Sequence, residues 1–260
     1  MLQMQRGVLD FEIEGAVNFR DLGGLPAGDL RVRRGMVFRS GMTHHIGPEG
    51  LEYLAERYRV RSFVDLRSED ELERDGTAPF DGSGIRHWRI PVTGITAMTP
   101  DKRQERMRAL MDGEMTWGQA YRDYLATSVD AFRSFFELVV DAESLSLVFH
   151  CTGGRDRTGV SAALLLATLG VDEDTIADDY ARTGELLRPH VPKFGQQSED
   201  LQLDERRFER LISTSREPMR ELFEYIRQDY GSVDGYLDEV GVAPAVVREL
   251  RGRLLEPHPA

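Results

Sequence analysis

Cysteine is nearly absent from this chain of 260 residues, which contains only Cys151. A single thiol cannot form an intrachain disulfide, and it suits a reducing compartment. Residues 1–15 lack a continuous apolar run, so they do not resemble a secretory signal. The longest uncharged apolar stretch, residues 160–171, falls short of the roughly 20 residues that span a bilayer. We therefore expect a cytoplasmic protein without an integral membrane segment, with export by a route that needs no signal peptide left open.

Positive charge is also scarce, because 33 Lys and Arg residues stand against 45 Asp and Glu residues, for a net charge of -12. A field of that sign repels nucleic acids and anionic membranes. We therefore expect no nucleic-acid partner. An anionic substrate would have to be held by a local cationic site.

No internal repeat, low-complexity tract or dividing linker interrupts the chain, which predicts a single domain over residues 1–260. With 40% hydrophobic and 30% charged residues, the composition is that of a globular protein. Short strand-like runs alternate with amphipathic helical segments, a pattern typical of α/β folds. Strands are predicted at residues 36–38, 62–66, 85–92 and 145–149.

Apolar residues at helical spacing predict the helices. The segment that begins near Thr116 has capping-box spacing between Thr116 and Gln119. Asp172 is expected to cap a later helix, and Pro244 to open the last one. Residues 186–204 contain two prolines and a glycine and indicate a loop or a mobile flap. Helices are predicted near residues 51–58, 116–139, 160–169, 172–180, 219–226 and 244–254.

The most informative segment is the sequence HCTGGRDRTG at residues 150–159. It lies between a predicted buried strand and a predicted helix, an arrangement that forms anion-binding sites. Five residues separate Cys151 from Arg157, a length that can wrap once around a tetrahedral oxyanion with its N–H groups inward. Arg157 would close the ring with a bidentate contact, and Gly153 and Gly154 would permit the unusual dihedral angles. The substrate-binding residues are expected to be Thr152, Gly153, Gly154, Arg155 and Thr158.

This loop favours nucleophilic phosphoryl transfer. Helix N-termini and cationic neighbours favour the thiolate of cysteine, so Cys151 is expected to attack phosphorus in line with the leaving oxygen. Thr158 would donate a hydrogen bond to the sulfur, and the scheme requires neither a metal nor a cofactor. A carboxylic acid must protonate the leaving oxygen. Asp156 is the nearest candidate in sequence, Asp65 is the second, and Asp101 lies where a movable acid loop could sit.

Five further segments extend this pattern along the chain. Together with the loop they resemble the cysteine-based protein tyrosine phosphatase superfamily, and within it the bacterial branch whose loop has the pattern HCxxGKDRTG. The resemblance covers nearly the whole chain. The segments are NFRDLGG at 18–24, FRSG at 38–41, VDLRSEDE at 64–71, DYARTGELL at 179–187 and YGSVDGYLDEVGV at 230–242.

The resemblance implies a mostly parallel sheet flanked by helices, with Cys151 as nucleophile, Arg157 as phosphate ligand and Asp156 as a catalytic aspartate. It also implies a helical lid near residues 186–215 and a C-terminal helical segment, residues 216–260, packed on the same domain. The implied substrates are phosphorylated proteins or peptides, phosphotyrosine first. Phosphoserine, phosphothreonine and phosphoinositides are further candidates, and inorganic phosphate is the product.

One departure concerns Arg155, which stands where this branch has a lysine. A guanidinium and an ammonium group donate hydrogen bonds differently, and that lysine is associated with phosphoinositide recognition in related enzymes. The choice between protein and lipid substrates therefore stays open. Two other functions also stay open: a rhodanese-like sulfurtransferase, which likewise carries one cysteine between a strand and a helix, and a non-catalytic phosphate-binding module.

Several charged residues outside the loop have two interpretations. Arg20 and Asp21 would either form an ion pair that stabilises a turn or contact the phosphate loop. Arg39 and Arg67 pose the same choice. The basic residues within 101–111 indicate a solvated helix face, with a cationic rim for phosphorylated substrates as the alternative.

The histidines and two aromatic residues favour structural roles. His44 and His45 are adjacent, so they do not share a helix or strand face, and no further metal ligands accompany them. We expect surface residues there rather than a metal site. His150 is expected to orient the Cys151 loop rather than to act as a base. Trp117 and Tyr121 have the spacing of core residues on a helix.

Overall fold

A computed structural model describes most of the chain. Most of the expected lid, residues 191–213, lies outside the described residues. Residues 186–190 belong to a short helix and the 3-10 turn that follows it, not to the loop that the sequence indicated. The described residues are 13–94, 98–190 and 214–258, with the backbone of residues 4–5 and 8–9.

Each of the four predicted strands overlaps an observed strand, and these four form most of the central sheet. The strands, in chain order, are β1 (Met4–Gln5), β2 (Val8–Leu9), β3 (Arg20–Asp21), β4 (Pro26–Ala27), β5 (Leu30–Val32), β6 (Val37–Ser40), β7 (Ser62–Asp65), β8 (Arg86–Arg89), β9 (Leu147–His150) and β10 (Leu255–Pro257).

The central sheet has five strands in the order β3, β6, β9, β7, β8. The strands from β6 to β8 pair in parallel, and only the edge strand β3 pairs antiparallel, with β6. The prediction of a mostly parallel sheet is therefore confirmed. A smaller antiparallel sheet joins β10 at the C-terminal end to β5 and β4.

Strand β9 lies in the middle of the sheet and is buried on both faces. Leu147 and Phe149 belong to one hydrophobic cluster and Val148 to another. Because successive side chains of a strand point to opposite faces, both faces of β9 are covered, as is typical of parallel sheets. The strand ends at His150, next to the predicted loop.

The helices flank this sheet, and among the described residues none is both long and apolar enough to cross a bilayer. They are α1 (Pro48–Arg57), α2 (Glu69–Asp75), α3 (Pro100–Asp112), α4 (Trp117–Thr127), α5 (Val129–Val140), α6 (Asp156–Thr168), α7 (Glu173–Ala181), α8 (Thr183–Leu187), α9 (Glu217–Tyr230), α10 (Val233–Glu239) and α11 (Pro244–Leu254).

The residues predicted to cap or begin helices do so in the structure. The backbone N–H of Gln119 donates to the Thr116 hydroxyl, and that of Thr116 donates to the Gln119 side chain, which completes the capping box of α4. Asp172 caps α7, and Pro244 is the first residue of α11. The helical region predicted from residue 116 onward is two helices, because Ser128 separates α4 from α5.

The two faces of the sheet carry different layers. One cluster, with Leu51 and Leu54 of α1, packs on one face. The other cluster contains residues of α4 to α7 and α9 to α11, including Leu222 and Leu250. The C-terminal helices therefore share one hydrophobic core with α6, the helix that follows the loop.

Candidate active site

The predicted loop joins β9 to α6. Cys151 directly follows β9, and α6 begins at Asp156. Cys151 is 2% exposed, and Arg157 in the first turn of α6 is 7% exposed. Because the positive end of a helix dipole lies at its N-terminus, α6 directs that end at the loop. The fold therefore brings the thiol, the guanidinium and a helix N-terminus together, as the sequence predicted.

The backbone of the loop turns at Gly154, whose φ is 65°. A Cβ atom at this position would lie 2.6 Å from the nitrogen of Gly41 and the oxygen of Ser40, so only glycine fits there. A Cβ atom on Gly153 would meet nothing closer than 4.0 Å. Of the two glycines expected to permit the turn, Gly154 is the one that the geometry requires.

Two side chains from the N-terminal segments hold the loop from outside. Asn18 Nδ2 donates to the carbonyl oxygens of Gly153 and Gly154 at 3.1 and 3.0 Å. Arg39 Nη2 donates to the Gly154 oxygen at 2.8 Å. These donors lie 115 to 136 residues away from the loop in sequence, so tertiary contacts fix its backbone.

A buried ion cluster supports those two donors. Asp179 of α7 accepts from Arg20 Nε at 2.7 Å and from Arg39 Nη1 at 2.5 Å, and all three residues are at most 3% exposed. Burial raises the pKa of Asp179, but Arg20 and Arg39 outweigh it and hold that pKa well below its usual range. Burial, together with Arg39, lowers the pKa of Arg20 to about 10. Asp179 is therefore ionised between two arginines.

The ion pair considered between Arg20 and Asp21 does not form. The Asp21 carboxylate accepts instead from the backbone N–H groups of Gly23 and Gly35, at 2.7 and 2.9 Å. Arg20 turns towards Asp179 and also donates to the side chain of Asn18. Asp21 therefore stabilises the glycine bend, whereas Arg20 acts on the loop through Asn18.

A carboxylate on α2 fixes Arg157. Arg157 Nη1 and Nη2 donate to Glu71 Oε2 and Oε1 at 2.5 and 2.6 Å, and the Thr152 hydroxyl donates to Glu71 Oε1 at 2.8 Å. Burial raises the pKa of Glu71, but the bonds from Arg157 outweigh it and bring that pKa down to about 2. Burial disfavours the charge of Arg157, while Glu71 and Cys151 raise its pKa. Both groups are therefore charged.

Glu71 leaves most of the Arg157 guanidinium free for a ligand. A guanidinium has five N–H donors, and the two bonds to Glu71 use one N–H of Nη1 and one of Nη2, so three donors remain for an oxyanion. Glu71 is not among the site residues predicted from the sequence. The signal was present, because Ser68 and Glu71 have capping-box spacing at the start of α2, and the Ser68 N–H donates to Glu71 at 3.0 Å.

Arg155 and Asp156 are turned towards each other. Arg155 Nε donates to Asp156 Oδ1 at 2.9 Å, and the Tyr121 hydroxyl donates to the same oxygen at 2.6 Å. The Arg155 Cζ lies 3.9 Å from the centroid of the Trp117 ring. Arg155 is 4% exposed, so the side chain expected to bind substrate is engaged with Asp156 and Trp117. Tyr121 and Trp117, expected only in the core, also contact these loop residues.

Among the acid candidates, Asp65 is enclosed. Its carboxylate pairs with Arg67 at 2.6 Å, and it is 2% exposed. Burial raises the pKa of Asp65, but His150, His87 and Arg67 hold it below its usual range. The side chain of Asp156 is 26% exposed, which suits an acid that must meet a substrate. Asp101 lies exposed in the first turn of α3.

One group of side chains in the described part of the chain offers three potential metal ligands. Atoms of Asp65, His87 and His150 lie within 4.8 Å of one another. The Arg67 guanidinium already binds both oxygens of Asp65, and its positive charge disfavours a cation there. His44 and His45, with ring centroids 4.1 Å apart, do not belong to this group.

His150 and Thr158 both hold the loop from within. His150 Nδ1 lies 3.4 Å from the carbonyl oxygen of Cys151, and Nε2 lies 3.3 Å from the Thr43 hydroxyl. Burial lowers the pKa of His150 to about 4, although Asp65 raises it, so the imidazole is neutral near pH 7. The Thr158 hydroxyl donates to the Ser40 carbonyl at 3.5 Å, in place of the bond expected to the sulfur.

Residues 11–256 match the profile of a family described as the tyrosine phosphatase family. A Cupriavidus necator protein described as a tyrosine-protein phosphatase is 34% identical over 184 residues, which are 69% of this chain and 65% of that protein. The triple specificity protein phosphatase PtpB of Mycobacterium tuberculosis is 27% identical over 277 residues, 94% of this chain and 98% of PtpB. The crystal structure of TpbA from P. aeruginosa matches with a TM-score of 0.41 and 15% identity, over 82% of this chain and 90% of that one.

Proposed function

Because this chain belongs to the tyrosine phosphatase family, we propose that it hydrolyses phosphate monoesters through a phosphocysteine formed on Cys151. The observation that carries the proposal is the pair of Arg157 and Glu71, which holds a guanidinium at the end of the loop that begins with the thiol. A guanidinium fixed in this way is ready to bind two phosphate oxygens without further ordering.

In the first step, the sulfur of Cys151 attacks phosphorus, and the bond from phosphorus to the ester oxygen breaks. Loop amides and Arg157 stabilise the equatorial oxygens, where the charge of the transition state resides. Asp156 gives its proton to the leaving oxygen, so the alcohol or phenol departs neutral. The products of this step are the phosphocysteine and the Asp156 carboxylate.

In the second step, water attacks the phosphocysteine. The Asp156 carboxylate takes a proton from that water, a new bond forms between oxygen and phosphorus, and the bond from sulfur to phosphorus breaks. Inorganic phosphate leaves and the thiolate of Cys151 is restored. Each turnover consumes one water molecule, and the two steps together require neither a metal ion nor an organic cofactor.

Phosphotyrosine in proteins or peptides is the substrate that fits best. Cys151 is 2% exposed, so the phosphoryl group must reach inward, and a phenol ring is a longer arm than the side chain of phosphoserine. The M. tuberculosis relative is named a triple specificity phosphatase, so we include other monoesters as slower substrates. Because Arg155 is engaged with Asp156 and Trp117, we rank phosphoinositides after proteins as substrates.

The proposal is tested by turnover in the presence of EDTA. We expect hydrolysis of p-nitrophenyl phosphate and of a phosphotyrosine peptide, with slower hydrolysis of the matched phosphoserine peptide and of a phosphoinositide. Acid quenching during turnover should trap protein in which the peptide containing Cys151 has gained one phosphoryl group. Activity that EDTA abolishes, or a phosphoryl group on another residue, would contradict the proposed chemistry.

The role of Glu71 gives a separate prediction. In Glu71→Gln, the amide nitrogen would face a guanidinium donor, so one of the two bonds to Arg157 is lost and the guanidinium is less ordered. Bonds between charged groups contribute about 1.5–3 kcal/mol, so we expect kcat/KM for p-nitrophenyl phosphate to fall by roughly 10- to 100-fold. Inhibition by inorganic phosphate should weaken in parallel.

Glu73→Gln is the matched control, because Glu73 lies on the same helix and is exposed. We expect its kinetics to match those of the unmodified chain. Stronger binding of phosphate in Glu71→Gln would mean that Glu71 competes with the ligand for Arg157, and the positioning role would be wrong.

A further inference from the structure

We propose that Tyr121 is a positioning residue for proton transfer, acting through Asp156. This inference rests on the proposed function and on the assignment of Asp156 as the acid. The Tyr121 hydroxyl donates to Asp156 Oδ1 at 2.6 Å from the neighbouring helix α4. Tyr121 is fully buried, so it acts without touching the substrate.

The hydroxyl groups of Tyr180 and Tyr121 donate in series towards Asp156. The hydroxyl groups of Tyr121 and Tyr180 lie 2.6 Å apart. Because the Tyr121 proton is donated to Asp156, the proton between the two phenols must come from Tyr180. Burial, followed by the charge of Asp156, raises the pKa of Tyr121 well above its usual value, so Tyr121 stays protonated and remains a donor throughout the reaction.

The two oxygens of Asp156 are held unequally. Oδ1 accepts from Tyr121 and from Arg155 Nε at 2.9 Å, whereas the bond from Arg155 Nη2 to Oδ2 is 3.2 Å long. The anchored oxygen has two strong donors, and the other has one weak donor. The geometry therefore assigns Oδ2 as the oxygen that carries the transferred proton. Oδ1 is the oxygen that the hydrogen bond from Tyr121 holds in place.

The far end of this chain of hydroxyl groups is packed against α6 itself. A Cβ atom on Gly159 would lie 2.9 Å from the Tyr180 ring, so the absence of a side chain there lets Tyr180 approach the helix. Tyr180 is 1% exposed. Asp156, at the start of α6, is therefore oriented by Tyr121 of α4. Tyr180 of α7 in turn contacts the Tyr121 hydroxyl while its ring packs against α6.

If Tyr121 positions Asp156, the rate loss caused by removing its hydroxyl should depend on the leaving group of the substrate. Phenyl phosphate has a poor leaving group that needs the proton of Asp156, whereas the p-nitrophenolate ion leaves readily without it. In Tyr121→Phe, the hydrogen bond to Asp156 Oδ1 is lost while the aromatic ring remains. We expect kcat/KM, which reports the steps up to departure of the leaving group, to fall about tenfold for phenyl phosphate and about twofold or less for p-nitrophenyl phosphate, since general acids contribute roughly 10²–10⁴ in rate.

Tyr236→Phe is the matched control for loss of a buried phenol. Tyr236 is 1% exposed, and its hydroxyl donates to the Leu125 carbonyl at 3.0 Å. The two variants should lose similar thermal stability. Only Tyr121→Phe should change the ratio of kcat/KM values for the two substrates. An equal loss of kcat/KM on both substrates in Tyr121→Phe would reduce Tyr121 to a packing residue and overturn the proposal.

A double-mutant cycle separates this inference from the function beneath it. If Tyr121 acts through Asp156, Tyr121→Phe should have no further effect on the leaving-group ratio in an Asp156→Asn background. A full additional effect there would overturn the role of Tyr121 and leave Asp156 as the acid. If Asp156→Asn lowers kcat/KM for both substrates alike, the acid assignment and this inference both fail, while a trapped phosphocysteine would still support the proposed hydrolysis.

Discussion

Cys151→Ser should abolish turnover while the fold and phosphate binding persist. A serine hydroxyl is not ionised near pH 7 and is a far weaker nucleophile than a thiolate. We expect kcat for p-nitrophenyl phosphate to fall by roughly 10⁴-fold or more, since removing a nucleophile has effects of that order. Calorimetric titration with inorganic phosphate should give an affinity close to that of the unmodified chain, because Arg157 and the loop amides remain.

Assays of this variant and of the unmodified chain together separate the three functions that the sequence allowed. Turnover that survives Cys151→Ser would eliminate the phosphocysteine. Phosphate binding in an unmodified chain that shows no hydrolysis would indicate a binding module. A persulfide on Cys151 after incubation with thiosulfate, in a chain without phosphatase activity, would indicate a sulfurtransferase. Family membership and the Arg157–Glu71 pair favour the first of these functions.

Of the single substitutions discussed, Asp179→Ala should lower the free energy of unfolding the most. The Asp179 carboxylate is the shared partner of Arg20 and Arg39, and its removal leaves two buried guanidinium groups beside each other. Removing one partner of a buried ion pair costs about 3–5 kcal/mol. We expect the free energy of unfolding, measured by urea denaturation, to fall by that amount.

Asp178→Ala is the control for this prediction. Asp178 is the preceding residue, its side chain is 50% exposed, and it pairs with the exposed side chain of Arg216. Surface pairs contribute about 0–1 kcal/mol, so this variant should be nearly as stable as the unmodified chain. Equal stability losses in the two variants would refute the structural role of the Asp179 cluster. Folded Asp179→Ala protein should also bind phosphate more weakly, because Arg39 contacts Gly154.

The strand, loop and helix around Cys151 could be predicted because their signals are local. The continuous apolar run of β9, the glycines after it and the apolar run of α6 are adjacent in sequence. The capping box at Thr116 and the cap at Asp172 were predictable for the same reason. Each depends on residues within one or two turns of the backbone.

The support of the loop could not be predicted in this way. Glu71 reaches Arg157 across 86 residues, and Arg20 reaches Asp179 across 159. The sequence even offered a nearer partner for Arg20, the adjacent Asp21, and that pair does not form. Charged residues choose partners by position in the folded chain, so their pairing depends on the order of strands in the sheet.

The Asp179 cluster has a consequence for synthesis on the ribosome. All residues of the loop have been translated once Gly159 is added, yet the carboxylate that fixes Arg39 beneath the loop arrives 20 positions later. The C-terminal helices that complete the core around α6 follow later still. A nascent chain that ended between these points would contain the complete set of reactive groups without their scaffold. We therefore expect the phosphate loop to become ordered only after α7, which carries Asp179, has been translated.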